Sequence, residues 1–148
     1  MPLEGGNYKI FTTLESGGKA IGSNFHGGPF APVIVDGQLT IWEVEPVEGL
    51  EGVYRFLNNG PCGVQDRDGY GPVPVVISTH TPPTLWEVTE ANEGEYVVQL
   101  ADVERSPVQK VWTVVEFQSK SLVELRPKKS DDGKDKAQVF QFKALPKD

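Results

Sequence analysis

The chain carries two histidines, His26 and His80, and one cysteine, Cys62, and any nucleophilic or acid–base chemistry would have to start from them. A Cys/His pair works when the imidazole takes the thiol proton, which needs both side chains within hydrogen-bond reach. His26 and His80 fall in separate glycine- or proline-punctuated segments, and no local signature of a cysteine enzyme surrounds Cys62. The thiol reads as a buried, inert side chain. No group of His, Cys, Asp and Glu has metal-ligand spacing, so neither a metal nor another cofactor is expected. Asp66-Arg67-Asp68-Gly69 opens like a calcium loop but lacks the remaining acidic ligands and the terminal Glu. Glycine-rich stretches lead into no helix that could cradle a phosphate. The expectation is therefore a protein that is not an enzyme and acts through its loops.

The elements that must carry those loops declare themselves by repetition. Ile41-Trp42-Glu43-Val44 returns as Leu85-Trp86-Glu87-Val88, and a weaker form closes the chain as Val139-Phe140-Gln141-Phe142. A second signal, Gly-x-Tyr, opens an alternating run at Tyr8, Tyr54 and Tyr96. The spacing predicts three units over 6–51, 52–93 and 94–146 of a single domain spanning 1–148, and periods of about forty to fifty residues mark repeat architectures. Within each unit, short runs of strand formers alternate apolar with polar residues, as half-buried strands do. Asp36-Gly37 and Asn59-Gly60 read as tight turns in which both central residues take positive φ. No stretch reads as a helix of more than a turn. Twelve short strands in three fourfold units is the counting rule of an all-β β-trefoil, with six strands closing a barrel and six forming a hairpin cap. The repeated tyrosines, tryptophans and Phe140 are then core residues.

Composition sets the remaining bounds. With 148 residues the chain suits one domain able to bury a core. A net charge of −7 argues against a nucleic-acid partner, because phosphate contacts need a basic surface. No apolar run approaches the roughly 20 residues of a membrane span. The first residues lack the basic start and apolar core of a signal peptide. One cysteine excludes an internal disulfide, and a cytoplasmic monomer is the simplest expectation. The segment 128–136 mixes charges of both signs and reads as a solvated loop.

The Gly-x-Tyr strand start, the Trp-x-Val strand end and the absence of a disulfide resemble the small β-trefoil protease inhibitors of mushrooms. These are the cospin-type serine protease inhibitors and, more distantly, the mycocypins, which block cysteine proteases. The resemblance spans the chain and implies a fungal inhibitor whose partner is a protease. It implies that the loop between the second and third strands, here 23–31, inserts into the protease cleft. Trypsin-directed members present Arg or Lys there, whereas this loop offers Asn24, Phe25, His26 and Gly27. Phe25 could enter an apolar primary pocket, which points to a chymotrypsin- or subtilisin-like serine protease rather than trypsin. The alternative for Phe25 or Phe30 is to fold back over the barrel mouth. In the mycocypins an asparagine between the fifth and sixth strands is associated with legumain inhibition, and Asn58 and Asn59 match that place. Arg67, flanked by two aspartates, and Arg105, followed by Ser106-Pro107, are further candidates for a protease pocket. The rival reading is a carbohydrate-binding lectin, although Thr40 and Thr84 stand where a Gln-x-Trp sugar signature would place other residues.

Overall fold

The tyrosine and tryptophan signals mark adjacent strands that face each other. The computed structural model describes residues 3–13, 19–25, 31–64, 73–78, 84–101, 110–115, 120–127 and 136–145. Among these, thirteen strands form: β1 (Gly6–Thr12), β2 (Ala20–Gly22), β3 (Ala31–Pro32), β4 (Ile34–Val35), β5 (Ile41–Pro46), β6 (Val53–Leu57), β7 (Cys62–Val64), β8 (Val73–Ile77), β9 (Trp86–Asn92), β10 (Glu95–Leu100), β11 (Lys110–Val114), β12 (Val123–Pro127) and β13 (Phe140–Ala144). The only helical element among the described residues is a 3-10 turn, Lys136–Gln138. The strand count exceeds the expected twelve because the third strand of the first unit is divided at Val33 into β3 and β4.

Six strands close into a barrel. β1 pairs with β5, β5 with β6, β6 with β9, β9 with β10, β10 with β13, and β13 returns to β1. Closure leaves this ring no free edge to recruit another chain. The other strands lie outside it, where β2 pairs with β1 and β4, and β8 pairs with β3, β7 and β12. The barrel register recurs three times. Tyr8 stands opposite Trp42, Tyr54 opposite Trp86 and Tyr96 opposite Phe140. On their other sides the same tyrosines face Ala144, Pro46 and Glu90, each four residues beyond a closing aromatic. Gly52 and Gly94 precede the second and third tyrosines with φ of 80° and 74°, a conformation that a side chain at those turns would strain.

Strand alternation sends every second residue inward. In β5, Trp42 and Val44 are buried while Ile41, Glu43 and Glu45 face out. The interior is organised around Trp112, which is fully buried and lies 5.5, 5.6 and 5.8 Å, ring centre to ring centre, from Trp42, Trp86 and Phe140. Its tilted and edge-on contacts suit the aromatic quadrupole. Between β1 and β2, Ile10 faces Ile21, and both are fully buried.

Two turn expectations are corrected. Asp36 has φ 60° and Asn59 has φ 62°, but the glycines after them do not share the left-handed conformation. Gly37 is required for space: a Cβ there would lie 2.5 Å from the backbone nitrogen of Ser23. Gly60 leaves room for a ring, since its Cβ would meet Phe25 Cε2 at 3.1 Å.

Candidate functional site

The second unit's turn at 58–60 and the first unit's loop beginning at Ser23 meet across the barrel mouth. Asn58 is fully buried and joins them through its side chain. The Ser23 hydroxyl donates to Asn58 Oδ1 at 2.6 Å, and Asn58 Nδ2 donates to the carbonyls of Leu39 and Ile41 at 3.0 and 3.1 Å. Both amide protons and the amide oxygen are thereby used, so the buried amide is satisfied. The Phe25 N–H donates to Ser23 Oγ, and Asn59 Nδ2 donates to the Phe25 carbonyl, both at 3.3 Å. Asn24 is exposed, with its Oδ1 accepting the Gln38 N–H at 2.7 Å. Backbone bonds between Ser23 and Leu39, in both directions, complete the frame. The far end of the loop is fixed as well, because Ala31 and Pro32 pair with Ile77 and Val76.

This geometry overturns two expectations about the site. Phe25 is not held out for a partner: it is 2% exposed and packs into the core, against the space that Gly60 leaves open. Burying an aromatic ring outweighs leaving it in water, and the barrel mouth offered it a place. Asn58 is likewise not a contact residue, since its amide is enclosed and committed to three bonds. Asn59 is exposed, but its amide nitrogen holds the Phe25 carbonyl. Of the other candidates, His26, Gly27, Arg67, Arg105 and Ser106 lie outside the described residues, as do Phe30 and His80. Reading the sequence passed over Ser23, Gln38 and the structural role of Asn58. A serine two residues before an aromatic was the available signal, and it is weak without the partner brought in from 35 residues away.

Cys62 is 1% exposed, and burial pushes its thiol pKa well up, which keeps the sulfur protonated and unreactive. Its carbonyl accepts the Trp86 indole N–H, as the Ile21 carbonyl accepts that of Trp42. At the other end of the barrel Leu3 packs into the core, and the hydroxyls of Tyr8 and Tyr54 donate to the carbonyls of Glu4 and Leu3. Burial, above all, raises the pKa of Tyr8, Tyr54 and Tyr96. No group of three or more potential metal ligands gathers among the described residues. No helix among them is long and apolar enough to cross a membrane.

The described residues thus form a closed six-stranded barrel with a thrice-repeated register. No family model matches the sequence, and no curated protein matches it. Solved structures do match the fold. A proteinase inhibitor from Coprinopsis cinerea superposes with a TM-score of 0.69 at 17% identity, covering 97% of this chain and 99% of its own. Two Culex quinquefasciatus salivary proteins of a cysteine- and tryptophan-rich family superpose with TM-scores of 0.68 and 0.65 at 12% and 13% identity. Each match covers 97% of this chain and 96% or 95% of the salivary protein. The likeness seen in the sequence thus holds at the level of the fold.

Proposed function

We propose that this chain is a β-trefoil inhibitor of a serine protease and that the loop 24–30 is the segment it inserts into the protease cleft. The observation that carries this reading is the frame beneath the loop: Ser23, Asn58 and Asn59 hold its first residues, and β3 holds its last. A tight-binding loop must be ordered before docking, so that little entropy is lost in the complex. The fold shared with the Coprinopsis inhibitor supports the class. Joining β3 and β4 as one strand brings the strands to the twelve of a trefoil. With Phe25 buried, a chymotrypsin-like preference has lost the residue it was argued from, and Asn24, His26 and Gly27 become the residues offered to the primary pocket.

Inhibition assays against trypsin, chymotrypsin, subtilisin, papain and legumain test the proposal. Inhibition of a serine protease that is lost when 26–30 is replaced by a glycine-serine linker, with the buried Phe25 kept, is the expected result. Absence of inhibition across the panel would overturn the function. Trypsin inhibition lost in Arg105→Ala, with the linker variant unaffected, would move the reactive site to the third unit.

A further inference from the structure

The repeated register permits a comparison that isolates one cleft. In the first unit the barrel rung reads Asn7–Glu43–Leu57 across β1, β5 and β6. The same rung reads Val53–Glu87–Gln99 in the second unit and Glu95–Gln141–Phe11 in the third. The second rung holds the same three kinds of residue in reverse order, but its amide, Gln99, is 6% exposed, whereas Asn7 is exposed and the Asn59-Gly60 turn borders the first rung. A cleft of about 520 Å³ opens at this place, lined by Asn7, Gln38, Thr40, Glu43 and Asn59, with Ile41 on its wall. Its volume falls in the range of small-molecule sites.

The lining chemistry selects the ligand. Asn7, Gln38 and Asn59 offer amide donors and acceptors, Thr40 a hydroxyl and Glu43 an acceptor carboxylate. Among the described residues, the side chains of Asn7, Gln38, Thr40 and Glu43 bond to nothing else in the protein. No Lys, Arg or His lines the cleft, and Glu43 together with the net charge of −7 disfavours phosphate or carboxylate ligands. A purely apolar ligand would cover this polar set without satisfying it, at a cost for each group. Ile41 is 55% exposed, a large aliphatic side chain on an outward position whose neighbours along the strand are Glu43 and Glu45. Mixed donors and acceptors around one exposed aliphatic face match a ligand with many hydroxyls and a C–H face. We propose that this cleft binds a neutral saccharide of one or two rings, independently of any protease.

The test uses the full chain and no protease. Backbone amide NMR is followed while glucose, galactose, mannose, N-acetylglucosamine and their common disaccharides are added in turn, with a lysine-rich peptide and inorganic phosphate as controls. Saturable shifts with at least one sugar, confined to residues around Asn7, Thr40, Ile41 and Asn59, are expected. Two variants take residues that the scaffold already accepts at the same register: Asn7→Val, as in the second unit, and Glu43→Gln, as in the third. Each should weaken the sugar by about 10-fold or more while leaving the spectrum of a folded protein. The proposal is overturned if no sugar gives saturable shifts, if both variants bind as well as the parent, or if only the peptide or phosphate shifts these residues.

Discussion

The barrel interior and the foot of the 24–30 loop are both tightly filled, but they are held by opposite means. In the interior, contacts are chiefly apolar and nondirectional, as where Ile10 faces Ile21 and Trp112 meets Trp42, Trp86 and Phe140. At the foot, every bond names its partner, and the Asn58 amide alone joins Ser23, Leu39 and Ile41. Nondirectional packing tolerates exchange of volume between neighbours. A buried polar network does not, because each broken bond leaves a group stranded. Stability should therefore reside mainly in the first region and the proposed inhibitory role in the second.

The strongest way to break this division is at Trp112. Trp112→Ala should cost about 3–5 kcal/mol, measured by urea denaturation. Trp112→Phe should cost far less, because the indole N–H is buried without a hydrogen-bond partner among the described residues. Phe25→Ala comes next, at about 3 kcal/mol, since the ring belongs to the core despite standing at the loop's entrance. A melting temperature unchanged by that substitution would return Phe25 to the role of an exposed contact. Asn58→Leu should cost about 2–3 kcal/mol by leaving the Ile41 carbonyl without a donor and the Ser23 hydroxyl proton without an acceptor. Its second effect separates the regions: the folded variant should be cleaved by the target protease instead of inhibiting it, as gel electrophoresis of the incubated pair would reveal.

Two smaller effects sharpen the contrast. Cys62→Ser should destabilise by about 1–3 kcal/mol through the buried hydroxyl and leave inhibition intact. Lost inhibition in a folded Cys62→Ser protein would show that the thiol has a function. The three tyrosines give the mildest signal. Their folded pKa values lie above the usual phenol value of about 10, so the unfolded chain releases protons first as pH rises. Their contribution to stability is complete below about pH 10 and is lost as pH rises through the folded values. Melting temperatures between pH 8 and 11 should decline at the alkaline end, less so in Tyr8→Phe.

What the sequence made legible follows the same line. The alternating strands and the burial of the closing aromatics were readable because strand period and residue type are local properties, whereas the facing of Tyr8 with Trp42 needed the register. Trp112 was visible as a tryptophan in a strand but not as the hub, since its neighbours come from three separate units. The foot was hidden for a related reason. An asparagine before Asn-Gly serves any turn, and nothing nearby in sequence shows that Asn58 will be enclosed by Ser23 and Leu39. Phe25 illustrates the limit most clearly, because the direction a loop aromatic takes is decided by the gap at Gly60.

The pairing of β13 with β1 has a consequence for connectivity. It repeats the register of β5 with β6 and of β9 with β10, where the chain runs through continuously in short turns. Leu145 donates its N–H to the Asn7 carbonyl, so the two ends of the barrel's chain already lie side by side. The seam is thus a third hairpin lacking only its turn. A circularly permuted chain, joined from 145 to 3 by a glycine-containing linker so that Leu3 and Glu4 are kept, and opened between Glu93 and Gly94, should fold to the same barrel. Every strand pair would survive the cut, and only the order in which the ring is assembled would change.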